Sequence, residues 1–220
     1  MALNKLKFSS INVTPVANQA IKFNSSANGF ETGSAGGAIT FIKKLTASSS
    51  STLSFVDGSS DVVLDNTYKE YLFIFNNIHP ATDGEDFSVN FRDGGSSYDA
   101  TKTTTYFYTE HGEGGQAGTV GYLASRDEAQ STDAQHLTTN IGRTGEDCAS
   151  GTLHLYDPSN TTFVKHFVSK VSNLDTTSPG YNQVIYAAGY CNVTAAIDGV
   201  QFTMSSGNIT AGTIKMYGVV

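Results

Sequence analysis

The chain has 220 residues, of which 39% are hydrophobic and only 15% are charged, and its formal net charge is −7 at pH 7. An acidic surface repels phosphate backbones, so this charge disfavours nucleic-acid binding. The low charge, together with abundant Ser, Thr, Asn and Gly, is typical of short strands joined by turns rather than of a helical enzyme. The length suits one domain with an extension, or two small domains.

The first residues, MALNKLKFSSINVTP, contain no apolar stretch of the kind found in signal peptides, so we expect synthesis in a cytoplasm. No apolar run approaches the ~20 residues of a membrane span, so we expect no membrane insertion. Two cysteines, Cys148 and Cys191, are too few for a disulfide scaffold in a chain of this length. Small core-facing thiols are the favoured interpretation, and a single bridge between them is the alternative.

Residues 1–45 differ in composition from the rest of the chain. A polar, strand-like segment stops at Pro15, a short strand is predicted at 20–23, and a stretch rich in Gly, Ser and Ala follows. Such a composition cannot build a core alone, which predicts an arm that packs on a partner or across its own domain. The apolar side chains of this predicted anchor are Leu3, Leu6, Phe8, Ile11, Val13, Phe23, Phe41 and Ile42.

After the arm, residues 46–51 (TASSSS) predict a flexible linker, and residues 52–220 predict one domain. Alternating apolar residues and turn residues follow one another without a long helical pattern. Strands are predicted at 52–56, 62–64, 71–78, 87–92, 104–109, 119–123, 135–141, 151–156, 162–171, 182–193, 197–204 and 213–219. This pattern predicts an all-β fold, an antiparallel β-sandwich of the jelly-roll type with an extended N-terminal arm.

The clearest two-strand signal runs from Gly151 to Val171. Alternating residues lead into Asp157-Pro158-Ser159-Asn160, and β-branched and aromatic residues follow. The pattern predicts a hairpin in which Pro158 is the second residue of a type I turn. Because its second arm is apolar at both alternating positions, we expect a central strand covered on both faces.

Histidines show no metal-ligand spacing such as HxH or HExxH. His154 and His166 flank the hairpin and share a face of the sheet only if the loop has an odd length. Even then a metal would need a third ligand. We therefore predict no metal site and no other cofactor.

Carboxylates crowd the turns at 83–86, together with Asp93 and Asp99. Solvated turn carboxylates are the favoured interpretation, and a structural Ca²⁺ site or the carboxyl pair of a glycosidase is less favoured. We find no GxSxG motif and no recognisable context for a nucleophilic cysteine. The sequence therefore predicts that the protein is not an enzyme.

Tyrosine is frequent, and in loops it gives amphipathic contact area at small entropic cost. Tyrosine is also an ordinary strand residue, so packing is the favoured interpretation for most of these side chains. If the chain has a surface that binds a glycan or another partner, we expect it at the Gly-rich loop 110–118, within the irregular region 110–147. Its candidate residues are Tyr106, Tyr108, His111 and Tyr122.

Three segments resemble bacteriophage virion proteins of the tail-fibre and head-decoration type, many of them from marine phages. They are GTLHLYDPSNTTFVKHFVSKV at 151–171, AAGYCNVTAAIDGVQFTMSSGNITAGTIKMYGVV at 187–220 and NQAIKFNSSANGFE at 18–31. The resemblance implies a β-rich, trimeric or multimeric appendage whose N-terminal part attaches to the particle. By this analogy residues 1–45 would attach the protein and residues 52–220 would be displayed, and no catalytic motif is carried over.

The resemblance and the pattern together predict a virion structural protein, assembled in the host cytoplasm and displayed as a capsid decoration or tail-fibre component. Its expected partners are other virion proteins, two further copies in a homotrimer and a host-surface glycan, but no nucleic acid. The alternative is a carbohydrate-binding, lectin-like module, and a glycan-degrading enzyme is less favoured.

Overall fold

The computed structural model describes residues 13–14, 20–33, 38–176 and 180–220. The chain divides into two units, Met1–Ala38 and Ile39–Val220. In the described ranges the regular secondary structure consists of strands, without helices. Those ranges accordingly contain no helix with the length and hydropathy needed to cross a membrane.

The first unit contains a hairpin of β1 (Ala20–Phe23) and β2 (Phe30–Gly33). Phe23 pairs with Phe30 across the strands, and their rings stack with centroids 5.0 Å apart. Both rings are exposed, Phe23 to 67%. A lone two-stranded hairpin is marginally stable in water, so this unit lacks a core of its own within its described residues.

The second unit is an antiparallel β-sandwich, which confirms the predicted fold class. Its strands are β3 (Ile39–Thr46), β4 (Thr52–Val56), β5 (Glu70–Pro80), β6 (Phe87–Arg92), β7 (Lys102–Gly112), β8 (Thr119–Tyr122), β9 (Gln135–His136), β10 (Ala149–Tyr156), β11 (Lys165–Asp175), β12 (Tyr181–Cys191), β13 (Gly199–Met204) and β14 (Ile209–Val219). The large sheet has the order β3-β14-β5-β10-β11-β12-β7-β8, and the small sheet has the order β4-β13-β6-β9.

The core lies between the two sheets and is built on aromatic rings. Phe202 of the small sheet contacts Phe73 and Phe75 of the large sheet, with ring centroids 5.6 and 5.2 Å apart. Phe202 also stacks on Phe87 of the neighbouring strand at 5.6 Å. All of these rings are buried, because alternate residues of each strand point into the sandwich.

The structure differs from the predicted boundary between arm and displayed domain. Residues 39–46 form β3, which pairs with β14 at one edge of the large sheet. Phe41 lies against Tyr217 there, and Ile42 packs on the core. The predicted flexible linker is hydrogen-bonded instead: Ala47 is buried, and Ser50 and Ile209 form an antiparallel bridge. Serine-rich composition signalled flexibility, but backbone pairing with the last strand overrides it.

The hairpin predicted at 151–171 is β10 and β11. The amide of Asn160 donates to the carbonyl of Asp157 at 3.0 Å, which closes the predicted turn with Pro158 as its second residue. β11 lies between β10 and β12, as a central strand should. The expectation that both its faces are covered is wrong, because Val168 on the outer face is 44% exposed. Antiparallel sheets readily leave one face to solvent.

Candidate ligand-binding groove on the large sheet

The outer face of the large sheet carries an aromatic row that crosses four strands. Lys170 of β11 pairs with Tyr186 of β12, which pairs with Phe107 of β7, which pairs with Tyr122 of β8. The rings of Phe107 and Tyr186 stack with centroids 4.8 Å apart and planes 7° from parallel. The ammonium of Lys170 lies 5.6 Å from the Tyr186 ring centroid. Such cross-strand contacts stabilise the sheet and fix the side chains in place.

A shallow groove of about 390 Å³ lies beside this row. Val168 and Ala188, which are paired across β11 and β12, give it an apolar floor that continues to Thr105 of β7. The small side chain of Ala188, between the larger Tyr186 and Tyr190 on the same strand face, leaves the space open. We call this feature the outer groove.

The far side of the outer groove carries polar groups. His166 pairs with Tyr190, and their rings lie edge to face with centroids 5.8 Å apart. Within the described residues, no hydrogen bond engages the His166 imidazole or the Tyr190 hydroxyl. Thr103, opposite Tyr190 on β7, completes this side, and its hydroxyl oxygen already accepts bonds from the Gln130 backbone amide at 3.2 Å and the Gln130 side chain at 2.6 Å. The outer groove thus combines an apolar floor with hydrogen-bonding groups along one rim.

The structure does not bring the four predicted binding residues together. Tyr106 points into the sandwich and is fully buried, where burial and the nearby Asp86 carboxylate raise the pKa of its hydroxyl. Tyr108 is half-buried against the core, over Gly121, whose lack of a side chain makes room for the tyrosine ring. His111 and Tyr122 are exposed, but Tyr122 belongs to the aromatic row. A buried Tyr106 cannot contact a ligand, so its predicted role is wrong.

Residues 135–142, one part of the irregular region predicted for recognition, are packed into the fold. Leu137 and Ile141 are buried in the core, and the carbonyl of Thr139 accepts a bond of 2.8 Å from Asn173 of β11. The Thr139 hydroxyl donates to the Gln183 side chain of β12 at 2.7 Å. This segment therefore covers the inner face of strands that the small sheet does not reach.

His154 and His166 both lie on the outer face, because an odd number of residues separates the paired Leu155 and Phe167. His154 is already engaged, since its Nδ1 lies 2.5 Å from Oε1 of Glu70. Among the residues that the structure describes, no three His, Cys, Asp or Glu side chains lie where they could hold a metal ion.

Asp86 is the centre of a buried charge cluster. Its Oδ2 lies 2.9 Å from a guanidinium nitrogen of Arg126 and 3.0 Å from Nδ1 of His136. Its Oδ1 accepts a bond of 2.8 Å from the amide of Asn140. The carboxylate thus ties three points of the irregular covering segment to the start of β6, and this is a structural role.

A second buried polar group lies across the inner face of three strands. Lys165 of β11 and Lys102 of β7 both pair with Cys191 of β12, and all three side chains are buried. Lys165 donates to the carbonyl of Val193 at 2.6 Å, and Lys102 donates to the carbonyl of Asp133. Burial lowers the pKa of both lysines. Each ammonium therefore holds a loop against the end of the sandwich.

These surroundings predict unequal reactivity of the two free cysteines. Burial raises the pKa of Cys191 to about 12. Burial, followed by the neighbouring Asp147 carboxylate, also raises the pKa of Cys148, but this thiol is only partly buried and remains accessible. Because the thiolate is the reactive form, iodoacetamide at about pH 8 should alkylate Cys148 alone in the native protein. Mass analysis should find Cys191 labelled only after denaturation. In a Cys148→Ser variant, rapid labelling of the native protein would contradict this prediction.

The loop between β10 and β11 presents an exposed phenylalanine on an ordered turn. The side chain of Asn160 accepts bonds of 2.7 Å from the amides of both Thr162 and Phe163. Its amide group donates to Asp157 at 2.6 Å, and Lys69 lies 3.0 Å from the same carboxylate group. Phe163 nevertheless remains 70% exposed. Together with the neighbouring Val164, which is 36% exposed, it gives this ordered loop a small apolar tip.

Comparisons with models of known protein families, with curated proteins and with solved structures find no match for this chain.

Proposed function

We propose that this protein is a virion structural protein, displayed on the particle as a capsid decoration or fibre, or as a tail-fibre component. The observation that carries the proposal is the division between a sandwich with its own core and a small unit with exposed, stacked Phe23 and Phe30. A hairpin that exposes such rings gains stability by packing on a partner. The N-terminal unit is therefore the attachment segment, and other virion proteins are its partners.

The strand order supports a jelly roll for the displayed domain. The blocks β3-β14-β5-β10 and β4-β13-β6-β9 face each other, and successive strands from β3 to β6 alternate between the sheets. Eight strands in two such sheets are the jelly-roll arrangement that capsid and lectin domains use. On this proposal β11, β12, β7 and β8 are an extension that widens one sheet.

The proposed homotrimer needs an apolar surface outside the core. Phe163 and the neighbouring Val164 offer one, because both are exposed at the tip of the ordered loop. Because this loop is held by hydrogen bonds before any contact forms, little conformational entropy is lost on association. A trimer on a particle would also multiply weak contacts with a host surface.

Deletion of residues 1–38 tests the attachment role. We expect a soluble, folded sandwich that no longer incorporates into particles, because the attachment rings are gone while β3 remains. The deletion must stop before Ile39, since removal of β3 would leave β14 unpaired at the sheet edge. Incorporation is measured by protein analysis of purified particles, and folding by circular dichroism.

A matched variant, Phe23→Ser with Phe30→Ser, keeps the chain length and removes only the paired rings. Like the deletion, this double variant should lower the amount of the protein in purified particles. If the protein without residues 1–38 still incorporates normally into particles, the attachment proposal is wrong.

A carbohydrate-binding module is the second candidate function, and the outer groove favours it. The groove has an apolar floor and a rim of hydrogen-bonding groups, a combination that is common in binding sites for small molecules. This function is compatible with display on a virion, where it would serve host adhesion. A glycan-degrading enzyme is the less favoured alternative, since the structure engages Asp86, one of its candidate carboxylates, in the buried charge cluster.

A further inference from the structure

We propose that the outer groove is a saccharide-binding site for a neutral hexose oligosaccharide. This inference rests on the host-adhesion part of the proposed function and assigns it to particular residues. The site consists of the floor of Val168 and Ala188 and the rim of His166, Tyr190 and Thr103.

The chemistry of the groove matches a sugar ring. A pyranose presents C–H groups on its faces and hydroxyl groups around its edge. The apolar floor, where Val168 is 44% exposed, suits the C–H face. The imidazole of His166 and the hydroxyl of Tyr190 can exchange hydrogen bonds with sugar hydroxyls, because no described residue forms a hydrogen bond with either group. Tyrosine supplies such mixed contacts from one rigid side chain.

The size of the groove favours a small ligand over a second protein. Its volume of about 390 Å³ lies within the ~300–1,000 Å³ range of small-molecule sites. A stable protein interface needs about 800 Å² on each partner, from some 20–30 residues. The groove is lined by only nine residues.

The lining of the groove contains no carboxylate, ammonium or guanidinium group, which favours a neutral sugar. Lys170, two residues along β11 from Val168 on the same face, lies outside the lining, with its ammonium 5.6 Å from the Tyr186 ring centroid. No carboxylate lines the groove, so a basic ligand would find no counter-charge there. The chain carries a formal net charge of −7, which disfavours the approach of polyanionic glycans. A neutral oligosaccharide meets neither obstacle. Tyr186, two residues before Ala188 on the same face of β12, and the Phe107 ring stacked on it would border a second sugar unit.

Filling the groove is the direct test. Ala188→Tyr in the full chain places a ring over the floor, and Val184→Tyr places the same ring on the same face of β12, outside the groove. The probes are neutral glucose, galactose, mannose and N-acetylglucosamine oligosaccharides, on a glycan array and in ligand-observed NMR. We expect Ala188→Tyr to weaken binding by about tenfold or more, equivalent to about 1.4 kcal/mol, and Val184→Tyr to bind as the parent does.

A second variant covers the case in which Ala188→Tyr fails to fold. Tyr190→Phe removes one rim hydroxyl without changing the packing, and should weaken the same oligosaccharides several-fold. Binding that survives both variants would place the sugar elsewhere and overturn the assignment. Absence of any binding by the parent protein would overturn it as well.

Two further measurements distinguish a failure of the saccharide site from a failure of the proposed virion function. Particles carrying Ala188→Tyr should contain the protein in normal amount and adsorb less to host cells. Normal incorporation without any saccharide binding would leave the virion proposal standing and end the saccharide proposal. If light scattering shows that Ala188→Tyr changes the oligomeric state, the groove is a contact between copies, which also overturns the saccharide site.

Discussion

Replacement of Phe202 with alanine should destabilise the protein by about 3–5 kcal/mol, the usual cost of removing a large ring from a packed core. Phe202 is fully buried and contacts four other rings, those of Phe55, Phe73, Phe75 and Phe87. These rings belong to both sheets, so they cannot all close into the space that Phe202 leaves. Urea denaturation at one fixed protein concentration measures the change, because any oligomer makes stability depend on concentration.

Phe163→Ala is the matched control, because it removes the same ring from a position that is 70% exposed. At a protein concentration where light scattering shows a monomer, a surface substitution of this kind should change stability by no more than about 0.5 kcal/mol. Equal denaturation midpoints for the two variants would mean that the sheets do not pack through Phe202. A loss of oligomeric state in Phe163→Ala alone would instead support the contact surface proposed at the loop.

Alternation along a strand was enough to predict several elements of the fold. Residues 52–56 and 87–92 were predicted from apolar residues at every second position, and they are β4 and β6. Elsewhere an alternating apolar pattern marks residues that are buried in the core but do not pair as a β-strand. Val62 and Leu64 are buried in the core, yet they lie in a loop that the Asp57 side chain holds by a bond of 2.8 Å to the Leu64 amide.

The outer groove could not be predicted in the same way. Its residues come from β7, β11 and β12, and Thr103 meets Tyr190 only through a register between strands far apart in sequence. Along β7 the alternation TTTYFYTE allows either Tyr106 or Phe107 to face outward. Tyrosine, with its polar tip, looked like the surface residue. The structure buries Tyr106 and exposes Phe107 to 41%, because the row on the outer face gives Phe107 a stacking partner.

The second large effect is expected from Asp86→Asn, which keeps the shape of the side chain and removes its charge. Arg126 and His136 would then face a neutral amide where they now contact a carboxylate that is 3% exposed. Removing one partner of a buried ion pair costs about 3–5 kcal/mol, because the remaining charge is left without compensation. Arg126 is 32% exposed and can draw on solvent, so we expect a value near the lower end of that range.

Asp83→Asn is the control for this variant, since Asp83 is exposed in the same turn and accepts a bond of 3.0 Å from the Arg143 amide. Its effect should stay within about 0.5 kcal/mol. A double variant with Arg126→Gln should lose less than the sum of the single losses, because the two groups act together. If the Asp86→Asn variant is as stable as the parent protein, the structural role proposed for the Asp86 carboxylate is contradicted. If such a stable variant also lost measurable turnover of a host polysaccharide, Asp86 would be a catalytic carboxylate and the protein a glycan-degrading enzyme.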